Sequence, residues 1–139
     1  PETFHPARCR RAVTVRMGSM TKDLDGLAER LRAFARARDW EQFHTPKNLA
    51  MALAGEVGEL VAELQWLTPE ESRDPGPEAM ARITAELGDV TNYLVRLADV
   101  LGVDLVAAAH AKLDVTERRY DPAAYHGSAR KAPPLPPDA

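Results

Sequence analysis

The sequence predicts an all-α domain, and three observations carry that prediction. All 11 prolines lie at positions 1, 6, 46, 69, 75, 77 and 122 or in the C-terminal tail, so long stretches between them are free to be helical. Within those stretches apolar residues recur every three or four positions, the period of a helix with one buried face. No stretch shows the polar/β-branched alternation of a half-buried strand.

The elements follow in order. A first helix is expected from Leu24 to about Arg38, with Leu24, Leu27, Leu31 and Phe34 on one face. A second starts at Pro46, a residue suited to a helix's first turn, and runs to about Leu67. Thr68-Pro69-Glu70-Glu71 has the spacing of a capping box, which opens a short helical turn. A third helix runs from about Pro77 to Leu101, where Gly102 supplies a C-terminal stop. A fourth covers about Asp104 to Tyr120 and ends before Pro122. The core domain is placed at residues 21–121. Residues 1–20 carry Arg8, Arg10, Arg11 and Arg16 and read as a basic N-terminal extension outside the core. Residues 122–139 read as a proline-rich tail, disordered or polyproline-like.

Composition narrows the function. A chain of 139 residues with 45% hydrophobic content accommodates one domain plus tails. The net charge of −3 speaks against a dedicated nucleic-acid binder, which usually carries a basic surface. No apolar run approaches the ~18–20 residues that span a bilayer, so no membrane partner is expected. Cys9 is the single cysteine, and no CxxC or HExxH spacing occurs, which argues against structural zinc and favours a reducing, cytoplasmic setting.

Two matched acidic motifs stand out, Glu56-Val57-Gly58-Glu59 and Glu86-Leu87-Gly88-Asp89, 30 residues apart inside apolar helical stretches. At about 100° per residue, Glu56, Glu59 and Glu63 fall within roughly 60° of one another, beside Leu49, Leu53, Leu60 and Leu64. Glu86, Asp89 and Tyr93 form the same stripe on the third helix, beside Ile83, Val90, Leu94 and Leu97. The acids therefore border the seam that must be buried. Two like charges about 4 Å apart repel by roughly 4 kcal/mol at an effective dielectric of 20, so such a cluster calls for a proton or a cation. Oxygen donors unaccompanied by Cys or His point to Mg²⁺, with Mn²⁺ as a substitute. Gly58 and Gly88 lie on the side away from the acids, where each costs ~1 kcal/mol against Ala unless another helix presses closely. Packing on both sides of so small a bundle implies a homo-oligomer.

The remaining polar residues leave alternatives. Lys112, Thr116 and Arg119 share one face of the fourth helix, either as a phosphate-binding edge or as a solvated basic end favoured by the helix dipole. Trp40 and Trp66 flank the second helix as core anchors or as plates that sandwich a base. His44 lies in the turn before Pro46, and Asn92 and Tyr93 follow the second acidic motif. A carboxylate-held metal beside cations and aromatic rings suits a nucleoside triphosphate. No GxxxxGK[ST] loop is present, so the site would be metal-centred.

Trp40-Glu41-Gln42-Phe43-His44, Pro46-Lys47-Asn48-Leu49, Gly55-Glu56-Val57-Gly58-Glu59-Leu60 and Gln65-Trp66 closely resemble the dCTP pyrophosphatase branch of the MazG-like nucleotide pyrophosphohydrolases. Glu86-Leu87-Gly88-Asp89, Tyr93-Leu94, Lys112 and Arg119-Tyr120 continue the resemblance, which covers about residues 24–120. It implies a MazG-like helical bundle completed as a dimer or tetramer, and Mg²⁺-dependent hydrolysis of a nucleoside triphosphate to monophosphate and pyrophosphate. By the same resemblance Glu56, Glu59, Glu86 and Asp89 would hold the metal and carry catalysis, with Glu63 in reserve. Trp40, His44, Lys47, Trp66, Tyr93, Lys112 and Arg119 would serve the nucleotide, with Asn92 and Thr116 as further contacts. Two positions depart from the family pattern: Thr116 stands where relatives commonly have Asn, and Leu31 where dimeric relatives often have His. Both bear on base and sugar preference. The competing readings are a di-iron carboxylate bundle, for which only Glu41-Gln42-Phe43-His44 has the required Glu-x-x-His spacing, and a non-catalytic helical interaction module; within the enzyme reading, the main alternative is a broader or dUTP-preferring pyrophosphatase.

Overall fold

The structure is a computed structural model that describes residues 23–136; the basic N-terminal extension and Cys9 lie outside the described residues. Every regular element among them is helical: α1 (Leu24–Arg36), α2 (Pro46–Leu64), α3 (Gly76–Leu101), α4 (Leu105–Arg119) and the one-turn α5 (Pro122–Tyr125), with a single 3-10 turn at Glu71–Arg73. Their ends follow local chemistry. Asp23 accepts from the Gly26 amide at 2.8 Å to cap α1, and Thr45 caps α2 through the Asn48 amide ahead of Pro46. Thr68 and Glu71 close the capping box reciprocally, at 2.8 and 3.2 Å, which fixes the turn leading to α3. Gly102, at φ 67°, ends α3 in the left-handed conformation that glycine adopts without steric cost. Asp104 then caps α4 through the Ala107 amide.

The second and first helices are shorter than expected, ending at Leu64 and Arg36, where tighter turn bonds replace the helical ladder, from the Leu67 amide to the Leu64 carbonyl and from the Arg38 and Asp39 amides to the Ala35 and Arg36 carbonyls. α2 and α3 pack along their lengths, and α1 lies against α3. Leu49, Ile83, Val95 and Ala98 form the buried centre of this three-helix layer, joined by Ala35 at the end of α1. α4 packs far less closely against these helices. The expected crowding at Gly58 and Gly88 is not met within one chain, since a Cβ built at either would have nothing within 4 Å. Beyond α4, the tail turns back so that Ala132 is buried. No helix among the described residues is long and apolar enough to cross a membrane.

Candidate active site

Because α2 and α3 lie side by side, their ExxE and ExxD stripes meet. One carboxylate oxygen each from Glu56, Glu86 and Asp89 lies within 4.8 Å of the other two. Glu56 and Glu86 are half-buried, while Asp89 and Glu59 are exposed, so the acidic seam is only partly closed. Partial burial, then the charges of Glu59, Asp89 and Glu86, push the Glu56 carboxyl above its ordinary value. The Glu86 carboxyl is raised for the same reasons, by partial burial and then by Glu59, Asp89 and Glu63. Glu59 is thus near enough to act on both groups while standing outside the tight trio. Glu63 has a different partner: Arg82 donates to it at 2.8 Å across the α2–α3 seam. Three converging carboxylates with no nitrogen or sulfur donor fit a hard divalent cation such as Mg²⁺ or Mn²⁺.

Asp89 also forms part of the wall of a cavity of about 410 Å³ between α1, the α1–α2 loop and α3. Leu31 and Phe34 enter it from α1, Trp40 and His44 from the loop, and Asn92 and Tyr93 from α3. Local bonds stiffen the loop. Asp39 takes a positive φ of 53°, the Trp40 amide donates to the Ala35 carbonyl at 3.0 Å, and Asn48 Nδ2 donates to the Phe43 carbonyl at 3.0 Å. Phe34 and Trp40 meet edge to face at 5.7 Å, and Trp40 and His44 at 6.4 Å, giving the cavity an aromatic wall. Trp40 is 44% exposed while lining this cavity.

Arg96, to which no sequence motif pointed, also lines this cavity. Its side chain is 8% exposed, and its Nε donates to His44 Nδ1 at 3.2 Å. Its Nη1 donates to Asp99 at 2.7 Å, and the other Asp99 oxygen is taken by Arg32. Burial and the Arg96 charge lower the His44 pKa, against a smaller upward pull from Glu41. The signal for Arg96 was present in the stripe itself: it follows Glu86, Asp89 and Tyr93 at the next helical step, beside the apolar seam, where an unpaired cation has no place.

Other expected site residues lie apart from this pocket in one chain. Lys47 is exposed on the first turn of α2, and Trp66, just past its end, is 86% exposed, so Trp66 is no core anchor. Lys112 is exposed on α4, and the Thr116 hydroxyl is spent on the Lys112 carbonyl. The Arg119 guanidinium holds the tail, donating to the Ala132 and Pro133 carbonyls at 2.7 and 3.1 Å. The structure therefore joins Trp40, His44, Asn92 and Tyr93 to the acidic trio through Asp89 alone and leaves Lys47, Trp66, Lys112, Thr116 and Arg119 outside the pocket.

No family model matches the chain. It is 48% identical to dCTP pyrophosphatase 1 of Homo sapiens over 105 residues, and equally similar to dCTP pyrophosphatase 1 of Bos taurus. Each match covers 74% of this chain and 62% of the relative, so the chain spans about three fifths of the length of these proteins. Among solved structures, a pyrophosphatase from Archaeoglobus fulgidus superposes with a TM-score of 0.67 at 33% identity, covering 70% of this chain and 92% of that one. With the acidic motifs converging in an all-helical chain, these similarities place it in the MazG-like pyrophosphatase family, alike to the dCTP pyrophosphatases over the three fifths of their length that it spans.

Proposed function

We propose that the chain is a Mg²⁺-dependent nucleoside triphosphate pyrophosphohydrolase, acting in the cytoplasm on dCTP or a 5-substituted dCTP in nucleotide-pool sanitation. The observation that carries this reading is the shared position of Asp89, which belongs to the carboxylate trio and also to the wall of the aromatic cavity. A triphosphate would lie along the acids while its base enters beside Trp40, His44 and Tyr93. The similarity to dCTP pyrophosphatases supports a pyrimidine deoxynucleotide as the preferred substrate.

Glu56, Glu86 and Asp89 would hold the cation, with Glu59 beside them. When bound, Mg²⁺ neutralises phosphate charge and polarises phosphorus. Glu59, outside the tight trio, would orient a water and accept its proton. The water oxygen bonds to phosphorus as the α–β phosphoanhydride breaks. The products are a nucleoside monophosphate and pyrophosphate, and the proton passes from the carboxylate to solvent. Trp40 stacks on the base, Asn92 and Tyr93 line its pocket, and Leu31 packs against it where a His would offer a polar contact.

The unit would be a homo-oligomer, a dimer or a tetramer. Val57, Val61, Met51, Leu87 and Leu94 on α2 and α3 are 39–66% exposed, and nothing covers Gly58 or Gly88 within one chain. A second copy laid on that face would bury this apolar surface. Lys47, Trp66 and Lys112 would then meet the nucleotide in the assembled site. Release of Arg119 from the tail carbonyls would let it join them.

The test is pyrophosphate release from a panel of ordinary and modified triphosphates with and without Mg²⁺, on protein whose oligomeric state is measured by light scattering. Metal-dependent release led by a cytosine deoxynucleotide is expected. Failure to release pyrophosphate from any triphosphate refutes the enzyme reading, and a purine preference of about tenfold in kcat/KM refutes the base assignment.

A further inference from the structure

A histidine that serves a nucleotide must present a definite edge, since a ring nitrogen is either a donor or an acceptor and the two tautomers exchange these roles. In His44 that choice is made by the protein. Arg96 Nε lies 3.2 Å from His44 Nδ1, and a guanidinium can only donate. Nδ1 must therefore be the ring's acceptor, and the ring's proton must sit on Nε2. The doubly protonated ring would set N–H against N–H at this contact. It is also opposed by burial and by the Arg96 charge, the two influences that lower the His44 pKa.

Arg96 is itself held so that it cannot turn away. It is buried on α3, and Asp99, one turn along the same helix, accepts from its Nη1 at 2.7 Å. Asp99 is anchored in turn by Arg32 from α1. The chain Arg32–Asp99–Arg96–His44 therefore crosses from α1 through α3 to the α1–α2 loop. The charged groups facing His44 are Arg96 from α3, Glu41 from its own loop, and Asp89 and Arg30 across the cavity.

We propose that Arg96 is a positioning residue that locks His44 as the neutral Nε2–H tautomer, so that the cavity meets its ligand with a fixed hydrogen-bond donor. The inference rests on the assignment of this cavity to the nucleotide, and it deepens that reading by naming what the donor selects. A fixed donor suits an acceptor on the base, such as the ring carbonyl of a pyrimidine, and rejects a base edge that offers only a donor there. The lock also keeps His44 uncharged at neutral pH, so that it does not compete with the cation for the phosphates.

The proposal is tested first on the wild-type chain without ligand, by two-dimensional ¹⁵N NMR of the histidine ring nitrogens from acid to neutral pH. We expect the His44 signals to show a bare Nδ1 and a protonated Nε2 at neutral pH, with protonation only below the ordinary histidine range. A proton on Nδ1, or averaging between tautomers, overturns the proposal whatever the substrate proves to be. Arg96→Met should release the ring to a mixture of tautomers with an ordinary titration, and Asp99→Asn should do so in part while leaving Arg96 in place. Turnover measured alongside should show KM for dCTP raised about tenfold in Arg96→Met with kcat little changed, the size of one lost hydrogen bond. If Arg96→Met folds and the His44 tautomer is unmoved, Arg96 is merely structural and the proposal fails. If no triphosphate is turned over while the tautomer is locked as described, the lock stands and the nucleotide assignment falls.

Discussion

Asp99→Ala separates the buried network from ordinary surface ion pairs, and its size follows from the exposure of each partner. Asp99 serves two arginines in different environments: the Arg96 side chain is 8% exposed and that of Arg32 is 37% exposed. Removing one partner of a fully buried pair costs about 3–5 kcal/mol, because a charge is left in the interior without compensation. Asp99 is itself 16% exposed, so water can reach the vacated space, and the cost of stranding Arg96 is closer to ~2–3 kcal/mol. The Arg32 contact adds at most about 1 kcal/mol, as a partly exposed pair. Asp99→Ala should therefore lose ~3 kcal/mol in all, whereas Arg32→Ala, which leaves the Arg96–Asp99 bond intact, should lose ~1 kcal/mol or less. Urea melts at a fixed chain concentration measure both, since oligomerisation makes apparent stability depend on concentration. In thermal scans the two variants should fall by about 10 °C and about 3 °C. Losses within about 0.5 kcal/mol of each other would refute the reasoning, because the expected gap comes from Arg96 being buried and Arg32 not.

Three further outcomes are expected. Glu59→Gln and Asp89→Asn should abolish turnover with helical content retained by circular dichroism, and without Mg²⁺ their melting temperatures should stay level or rise; near-native turnover in either would remove that residue from the catalytic acidic cluster. The raised Glu56 and Glu86 carboxyls bind protons more tightly in the folded chain than in the unfolded one, so ionising them costs the fold stability. In chelator, stability relative to a Glu56→Gln variant should accordingly fall as pH rises from the ordinary value of 4.5 through the raised one, and Mg²⁺ affinity by calorimetry should rise over the same window; a flat difference would count against the cluster. Trp66→Ala, at a residue 86% exposed, should leave the melt of one folded unit nearly unchanged and weaken nucleotide binding by about 1–3 kcal/mol, whereas Trp40→Ala should disturb both. A collapsed melt for Trp66→Ala with unchanged affinity would reverse that assignment.

What the sequence determined by itself is what depends on neighbours three or four residues apart. The cap at Thr45 before Pro46, the Thr68–Glu71 box and the stop at Gly102 each act through bonds within one turn, and each is legible from the order of residues alone. So are the two acidic stripes, because the side chains of Glu56 and Glu59, or of Glu86 and Asp89, share a helix face wherever that helix packs. The tertiary structure alone decided which of these acids converge. That depends on how α2 and α3 are rotated against each other, and the outcome places Glu56, Glu86 and Asp89 together while giving Glu63 to Arg82, 19 residues away. The Arg96–His44 bond spans 52 residues and the Arg32–Asp99 pair 67, distances over which no local propensity acts. Arg119 shows the same limit: its place on a basic helix face was readable, but its engagement by the Ala132 and Pro133 carbonyls required the tail to fold back on α4. Local geometry fixes which groups a helix offers, and only packing fixes which of them find partners.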